Sequence, residues 1–169
     1  IQAFPILVSE LQRAVAVAGG WVQPAETRKN SALQKIKTSQ ESKDQRSEML
    51  ILIVEDNEIN RLVLLKQLET LGYPTLVAQN GEEGLADAKK KKPDIILLDI
   101  LLPKMDGFTV LEKLKEDSGV KDIPVILLTN LGQKDDVSKG LEMGAVDYLI
   151  KAHFKPSEVV EKVNKVLKV

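Results

Sequence analysis

Residues 95–107 read IILLDILLPKMDG, and this stretch decides the predicted fold because an unbroken aliphatic run ends at a carboxylate, Asp99. Several other short apolar runs also end at a reactive polar side chain. Leu50 to Val54 leads to Glu55 and Asp56, Val125 to Leu128 leads to Thr129, and Tyr148 to Ile150 leads to Lys151. The repetition indicates a set of similar strands, each followed at its carboxyl end by a polar group.

Amphipathic stretches separate these runs, which predicts a parallel sheet covered by helices on both faces. A weaker run, Thr75 to Ala78, follows a proline and suits an edge strand. Helices are predicted after Asn57, from Asn80, after Asp106, after Gly132 and from Pro156. Five strands and five helices in strict alternation predict a doubly wound α/β fold.

Two of these helices have a predicted buried stripe. The first helix is expected to bury Ile59, Leu62, Val63, Leu65 and Leu68, and the last helix Val159, Val160, Val163, Val166 and Leu167.

The polar residues at the strand ends predict a binding site. All carboxyl ends of a parallel sheet lie along one edge, where open α/β sheets bind their ligands. Three acids, one hydroxyl and one ammonium group are therefore expected to converge in one crevice. Such a group of side chains suits a divalent cation and a phosphoryl group.

Composition limits the other possibilities. The 169 residues fit one domain with an appendage, and a net charge of -1 gives no argument for nucleic acid or a membrane surface as a partner. With no cysteine and a single histidine, the sequence excludes disulfides and a zinc cluster. Glu10 and Arg13 interrupt the one early apolar stretch, so neither a signal peptide nor a membrane span is predicted, and the expected location is cytoplasmic.

The first 48 residues differ from the rest and are predicted to form a leader and linker, with the domain at 49–169. A short amphipathic helix is expected around Leu7, Leu11, Ala14, Val15 and Ala18, followed by a polar linker. The sequence starts at Ile1 without methionine, and we expect the leader to be the end of an upstream domain or a fragment boundary, two alternatives between which the sequence does not choose.

Four motifs carry a family resemblance. They are VEDN at 54–57, LD at 98–99 continuing to PKMDG at 103–107, LTN at 128–130 and DYLIK at 147–151. Together they resemble the receiver domain of bacterial two-component response regulators over about residues 49–169. The resemblance implies a flavodoxin-like sheet of strand order 2-1-3-4-5.

In that strand order Glu55 and Asp56 lie beside Asp99, and three clustered carboxylates favour a cation, for which Mg²⁺ fits best. The resemblance implies that Asp56, Asp99 and the backbone carbonyl of Leu101 are ligands of Mg²⁺, with Glu55 acting through water. It further implies that Asp99 accepts a phosphoryl group from a phosphohistidine.

The resemblance also assigns the remaining site residues. Lys151 and Thr129 are expected to neutralise and bind the phosphoryl group, and Thr129 and Tyr148 are expected to relay the change to a docking face. That face comprises the fourth helix, the fifth strand and the last helix.

The expected function is that of a single receiver domain without an attached output domain, a phosphoacceptor switch in a phosphorelay with no enzymatic activity beyond self-phosphorylation and slow self-dephosphorylation. The expected partners are a sensor histidine kinase and an unknown output protein, without direct contact to nucleic acid or membrane. The protein is expected to be a monomer or a phosphorylation-induced dimer.

Three alternatives are weighed against this function. A carboxyl-terminal receiver from a hybrid sensor kinase is a close variant. A flavin or nucleotide carrier would share the fold, but the acidic loop at 55–58 would repel a phosphate. The intact set of acids argues against an interaction module that works without phosphorylation.

The sequence departs from the family pattern near the site. Lys151 is followed by Ala152, where the family usually has proline, often after a cis bond, so the geometry of that loop is in question. Asn130 is larger than the small residue often found there. Leu101 and Leu131 occupy the positions two residues after Asp99 and Thr129, and neither side chain can orient a water molecule, which predicts slow self-dephosphorylation.

Overall fold

The computed structural model of the protein describes residues 45–130, 134–153 and 155–168. The predicted leader helix, most of the predicted linker, and residues Leu131 and Gly132 lie outside the described residues. The described chain begins with a helical turn at 45–47.

Five strands form one fully parallel sheet in the order β2-β1-β3-β4-β5. They are β1 (Ile51–Val54), β2 (Thr75–Ala78), β3 (Ile95–Asp99), β4 (Val125–Thr129) and β5 (Asp147–Ile150). The predicted doubly wound, flavodoxin-like fold and its strand order are confirmed. The polar residues Asp99 and Thr129 are the last residues of β3 and β4.

The helices are α1 (Glu58–Thr70), α2 (Gly81–Lys91), α3 (Gly107–Glu116), α4 (Lys134–Glu142) and α5 (Pro156–Leu167), and a 3₁₀ turn covers Lys151–His153. The predicted starts of the first three are confirmed, and each is capped, because the side chains of Asn57, Asn80 and Asp106 each accept an N–H three residues later. No helix in the described ranges combines the length and apolar character needed to cross a bilayer.

The apolar core has two layers, one on each face of the sheet. Side chains alternate along a strand, so each central strand contributes to both layers. On one face, Ile53 and Leu97 pack with Leu64 of α1 and Val163 of α5. On the other face the core includes residues of α2 and α3, such as Ala88 and Val110. Burial on both faces explains why β1, β3 and β4 are continuous apolar runs.

The predicted buried stripe of α1 is confirmed for Leu68, which is fully buried, and for Leu65, which is half-buried against the core, but it is wrong for its other three residues. Ile59, Leu62 and Val63 are exposed, and the fully buried residues of this helix are Leu64 and Leu68. Leucine, isoleucine and valine occur on several sides of α1, so the apolar period alone does not select the inward face. One turn before Leu64 the inward positions are the polar residues Asn60 and Arg61, which make hydrogen bonds to the loop after β1.

Candidate functional site

Three carboxylates meet at the carboxyl edge of the sheet. Val54 pairs with Leu98 in the register of β1 and β3, so Glu55 and Asp99 come next to each other beyond that pair. One carboxylate oxygen from each of Glu55, Asp56 and Asp99 lies within 4.8 Å of the others. Glu55 and Asp99 are buried, whereas Asp56 is exposed to solvent. The structure therefore brings together the three predicted acids, with one of them open to incoming ligand.

Lys151 supplies the positive charge of this cluster. It is the first residue of the 3₁₀ turn after β5, and only a tenth of its side chain is exposed. Its Nζ lies 2.9 Å from Glu55 Oε2 and 3.2 Å from Glu55 Oε1, and it also contacts Asp99 Oδ2. One ammonium group thus bridges two buried carboxylates that come from β1 and β3.

The two buried acids still have capacity for a cation. Glu55 Oε2 and Asp99 Oδ2 share one ammonium group, that of Lys151, and no other donor among the described residues is placed on either oxygen. Two buried carboxylates with a single positive partner keep an excess of negative charge, which is energetically costly. Mg²⁺ prefers a small number of carboxylate oxygens and retains water in its other positions. Glu55, Asp56 and Asp99 therefore fit a magnesium ion.

The electrostatics of Asp99 reflect this environment. Burial raises the pKa of Asp99 to about 6, and the nearby charge of Glu55 acts in the same direction. The bond from Lys151 and the Leu101 N–H, which donates to Asp99 Oδ1 at 2.9 Å, oppose the rise in pKa. A second positive charge near Asp99 would stabilise its ionised form.

Thr129 and Tyr148 occupy the neighbouring strands. Thr129 is buried at the end of β4, and its Oγ1 makes a long hydrogen bond of 3.5 Å to the carbonyl oxygen of Leu149. Tyr148 is half-buried and pairs with Leu127, two residues before Thr129, so Thr129 and Tyr148 share one face of the sheet. The Nζ of Lys162 lies 5.0 Å from the Tyr148 ring centroid.

The peptide bond after Lys151 is trans, because no described residue follows a cis bond. The replacement of the usual proline by Ala152 therefore coincides with a trans bond at this position. Lys151 nevertheless reaches both buried acids.

Sequence reasoning missed the role of Gly107. A Cβ atom at this position would lie 2.1 Å from the carbonyl oxygen of Asp99 and 2.7 Å from the Cα of Ile100. Only glycine lets the first residue of α3 pack directly on the backbone of Asp99. The sequence signal was present as a glycine immediately after Asp106, but it indicated only the start of a helix.

The polar first turn of α1 was also missed. Arg61 donates to the backbone carbonyl oxygens of Glu55 and Asp56, and Asn60 donates to the Glu55 side chain. These contacts explain why the inward positions before Leu64 are polar. A search for apolar periodicity cannot find them.

The fold and site define a class of protein: a doubly wound domain with clustered acids and one lysine at the carboxyl edge of its sheet. Residues 51–164 match the model of the response regulator receiver domain, and the chain belongs to this family. Receiver domains act in two-component signalling as phosphoacceptor switches, and phosphorylation and magnesium binding are typical of them.

Curated relatives share this domain. A protein of Porphyra purpurea named probable transcriptional regulator ycf27 is 40% identical over 118 residues, which are 70% of this chain and 47% of that protein. The chain thus spans about half the length of the curated relatives of this kind that it matches.

Solved structures of response regulators and receiver domains are also similar to this chain. A putative response regulator from Chloroflexus aurantiacus is 35% identical with a TM-score of 0.68, covering 72% of this chain and 98% of that one. The receiver domain of a sensor histidine kinase from Pseudomonas aeruginosa is 30% identical with a TM-score of 0.66 over 72% of this chain and 98% of its own; its active-site cleft coordinates a magnesium ion.

Proposed function

We propose that Asp99 accepts a phosphoryl group from a histidine kinase. The observation that carries the proposal is the buried Asp99 beside Glu55 and Asp56, with its Oδ2 in contact with Lys151 and with no other donor among the described residues. An oxygen in this position has lone pairs available for attack. Its partner Oδ1 is held by the Leu101 N–H, which fixes the orientation of the carboxylate.

The chemical step is a transfer between two side chains. Asp99 Oδ2 attacks the phosphorus of a phosphohistidine, and the P–N bond breaks as the O–P bond forms. The departing imidazole nitrogen keeps the electron pair of the P–N bond, and with a proton on its other ring nitrogen the imidazole leaves as a neutral molecule. The ammonium of Lys151 and the hydroxyl of Thr129 bind the phosphoryl oxygens and stabilise their charge.

The magnesium ion would be held by Asp56, Asp99 and the backbone carbonyl of Leu101, with Glu55 acting through water. A bound Mg²⁺ supplies positive charge to the transferring phosphoryl group. The acids of this chain provide the hard oxygen ligands that the ion requires.

The switch follows from the weak contact of Thr129. Its 3.5 Å hydrogen bond to Leu149 is near the limit for such a bond, so turning the hydroxyl toward a phosphoryl group costs little. Space opened on that face of the sheet lets the Tyr148 ring move inward. The change would alter the surface of α4, β5 and α5, where an output protein docks.

Several architectures are compatible with this switch. We favour a receiver that acts by docking to a protein, and a receiver from a hybrid sensor kinase is the alternative. The relative in Porphyra purpurea is named as a transcriptional regulator, and the chain covers only 47% of it. The domain bounds at 49–169, the leader at 1–48, the cytoplasmic location and the oligomeric state stay predictions.

The experiment is labelling with acetyl phosphate and Mg²⁺, read by intact mass. The wild-type chain should gain one phosphoryl group, and Asp99→Asn should gain none. Asp106→Asn is the matched control, because it removes an acid close in sequence, outside the cluster, and asparagine also caps helices well. Absence of labelling in the wild type, or equal labelling of Asp99→Asn, contradicts the proposal.

The lifetime of the phosphorylated state should be long. Leu101 is half-exposed beside Asp99 and cannot hydrogen-bond an attacking water, and Leu131 lies outside the described residues. Leu101→Asn combined with Leu131→Glu should shorten the lifetime of the acyl phosphate. An unchanged decay rate in this double variant would contradict the account.

A further inference from the structure

Arg61 makes an unusual pair of contacts from the first turn of α1. Its Nη1 donates to the backbone carbonyl oxygen of Glu55 at 3.0 Å and to that of Asp56 at 3.1 Å. Both acceptors belong to the loop that leaves β1, six and five residues before Arg61 in the chain. A single guanidinium group therefore holds two consecutive peptide units.

These two peptide units flank Asp56. The carbonyl of Glu55 belongs to the peptide before Asp56 and the carbonyl of Asp56 to the peptide after it. Fixing both planes fixes the backbone dihedrals of Asp56, and hence the direction of its Cα–Cβ bond. The Asp56 side chain is exposed, and no hydrogen bond to its carboxylate is among the contacts described for residues 45–130. The backbone of Asp56 therefore sets the position of its Cβ, from which rotation about the side-chain bonds places the carboxylate.

Glu55 is held by the same helical turn. The Asn57 N–H donates to Glu55 Oε1 at 3.2 Å, and the Asn60 side-chain amide donates to the same oxygen at 3.3 Å. These contacts hold the carboxylate with both oxygens within reach of Lys151 Nζ, Oε2 at 2.9 Å and Oε1 at 3.2 Å. The turn formed by Asn57, Asn60 and Arg61 thus orients both acids that follow β1.

We propose that Arg61 is a positioning residue for the metal site, because it holds the backbone of the acidic pair in the arrangement that a divalent cation requires. The inference rests on the proposed function, in which these acids bind Mg²⁺. Outer residues that orient metal ligands typically change metal affinity about 10- to 100-fold when they are replaced. Arg61 would act through Glu55 and Asp56, because its described hydrogen bonds go to their backbone carbonyl oxygens and not to a carboxylate of the cluster.

The sign of the effect separates positioning from simple charge. Arg61 is a cation close to a cation site, so by Coulomb repulsion alone its removal should strengthen Mg²⁺ binding. If positioning dominates, its removal should weaken binding. The two explanations predict opposite directions for the same substitution.

The experiment is calorimetric titration of the metal-free full chain with Mg²⁺, repeated with Mn²⁺ by electron paramagnetic resonance. Arg61→Met, which keeps the apolar stem and loses both bonds, should raise the dissociation constant roughly tenfold. Arg61→Lys keeps the charge and should give a smaller increase. Lys66→Met is the matched control, because it removes an exposed positive charge from the same helix, and its dissociation constant should stay within about twofold of wild type.

An unchanged or lower dissociation constant in Arg61→Met overturns the inference, provided that the wild type binds Mg²⁺ and Asp99→Asn weakens that binding. Failure of the wild type to bind Mg²⁺ would instead overturn the proposed function as well. Thermal melting of Arg61→Met in a chelator separates positioning of the metal ligands from a purely structural role. A purely structural role would lower the melting temperature of the metal-free protein and leave the Mg²⁺ affinity of the folded protein unchanged. If Arg61→Met does not fold, Arg61→Gln takes its place in the titration. Glutamine is shorter than arginine and donates through one amide group only, so this variant should also bind Mg²⁺ more weakly than the wild type.

Discussion

Helices α1 and α5 pack on the same face of the sheet, yet the sequence predicts the buried side of only one of them. In α5 the predicted stripe is right, because Val159 and Val163 are fully buried and the other predicted residues are half-buried. In α1 three of the five predicted residues are exposed, and Ile59 retains 72% of its accessible surface. Both helices are rich in aliphatic residues, so composition does not explain the difference.

The difference lies in the first turn of each helix. Helix α5 starts at Pro156, and its cap residue Lys155 makes no side-chain capping bond. Helix α1 directs Asn60 and Arg61 toward the acidic loop, where they bond to Glu55 and Asp56. These polar contacts set the rotation of α1 about its axis, and Leu64 and Leu68 follow on the inward side. Apolar periodicity predicts a helix, and polar contacts at a functional site can decide which face it buries.

The largest effect should come from shortening a buried side chain of α1, compared with shortening an exposed side chain of the same helix. Leu64→Ala removes a fully buried side chain and should lower the free energy of unfolding by about 2–5 kcal/mol. Leu62→Ala, on the exposed side, should change it by less than about 0.5 kcal/mol. Urea unfolding followed by circular dichroism measures both. Similar losses in the two variants would show that α1 does not bury Leu64 in preference to Leu62.

The second prediction concerns the acidic loop that α1 supports. Because burial raises the pKa of Asp99 to about 6, the folded protein holds a proton there that the unfolded chain releases near its ordinary value of 3.8. Between about pH 3.8 and pH 6 the folded protein binds more protons than the unfolded chain, so the free energy of unfolding falls as the pH rises through this range. Without metal, Asp99→Asn should gain stability on the order of 2 kcal/mol at about pH 8 and little at about pH 4.

Two controls accompany this pH series. Asp56→Asn replaces the exposed acid of the same cluster and should change metal-free stability only slightly. Saturating Mg²⁺ should stabilise the wild type and reduce the advantage of Asp99→Asn, since a ligand that binds the folded state stabilises it. An Asp99→Asn variant that is less stable than the wild type at both pH values would contradict the prediction.

A third prediction tests a polar contact that ties α5 to a distant part of the chain. The hydroxyl of Tyr73, before β2, donates to Asn164 Oδ1 at 2.5 Å. Tyr73→Phe and Asn164→Ala should each lower the free energy of unfolding by about 1 kcal/mol, and a double-mutant cycle should give a coupling of at least about 0.5 kcal/mol. A coupling near zero would mean that this hydrogen bond adds nothing to the apolar packing of α5.

The smallest expected effect lies outside both helices, in the loop after Asp99. Lys104 has a backbone φ of 67°, in the left-handed region that disfavours side chains. Lys104→Gly should raise the free energy of unfolding by a few tenths to about 1 kcal/mol. The same change at Lys113, an exposed position inside α3, should lower it by about 1 kcal/mol. Thermal melts of both variants check the opposite signs, and a loss in Lys104→Gly would exclude strain at this position.

The amino-acid sequence by itself determined the strand-and-helix alternation, the strand ends and the acids, hydroxyl and lysine that follow them. It could do so because strands buried on both faces are continuous apolar runs, and a parallel sheet collects their carboxyl ends at one edge. Glu55, Asp56, Asp99 and Lys151 were therefore identifiable from order and spacing. The motifs by which the sequence resembles the receiver family include these same residues.

Only the tertiary structure decided how these residues share the site. It buries Glu55 and leaves Asp56 exposed, lets Lys151 bridge two acids, packs Gly107 on the backbone of Asp99, and turns α1 so that Arg61 holds the acidic loop. These arrangements depend on close approaches and hydrogen bonds to backbone carbonyl groups. Every residue has such a carbonyl, so the linear sequence contains no pattern that marks the ones a side chain will reach.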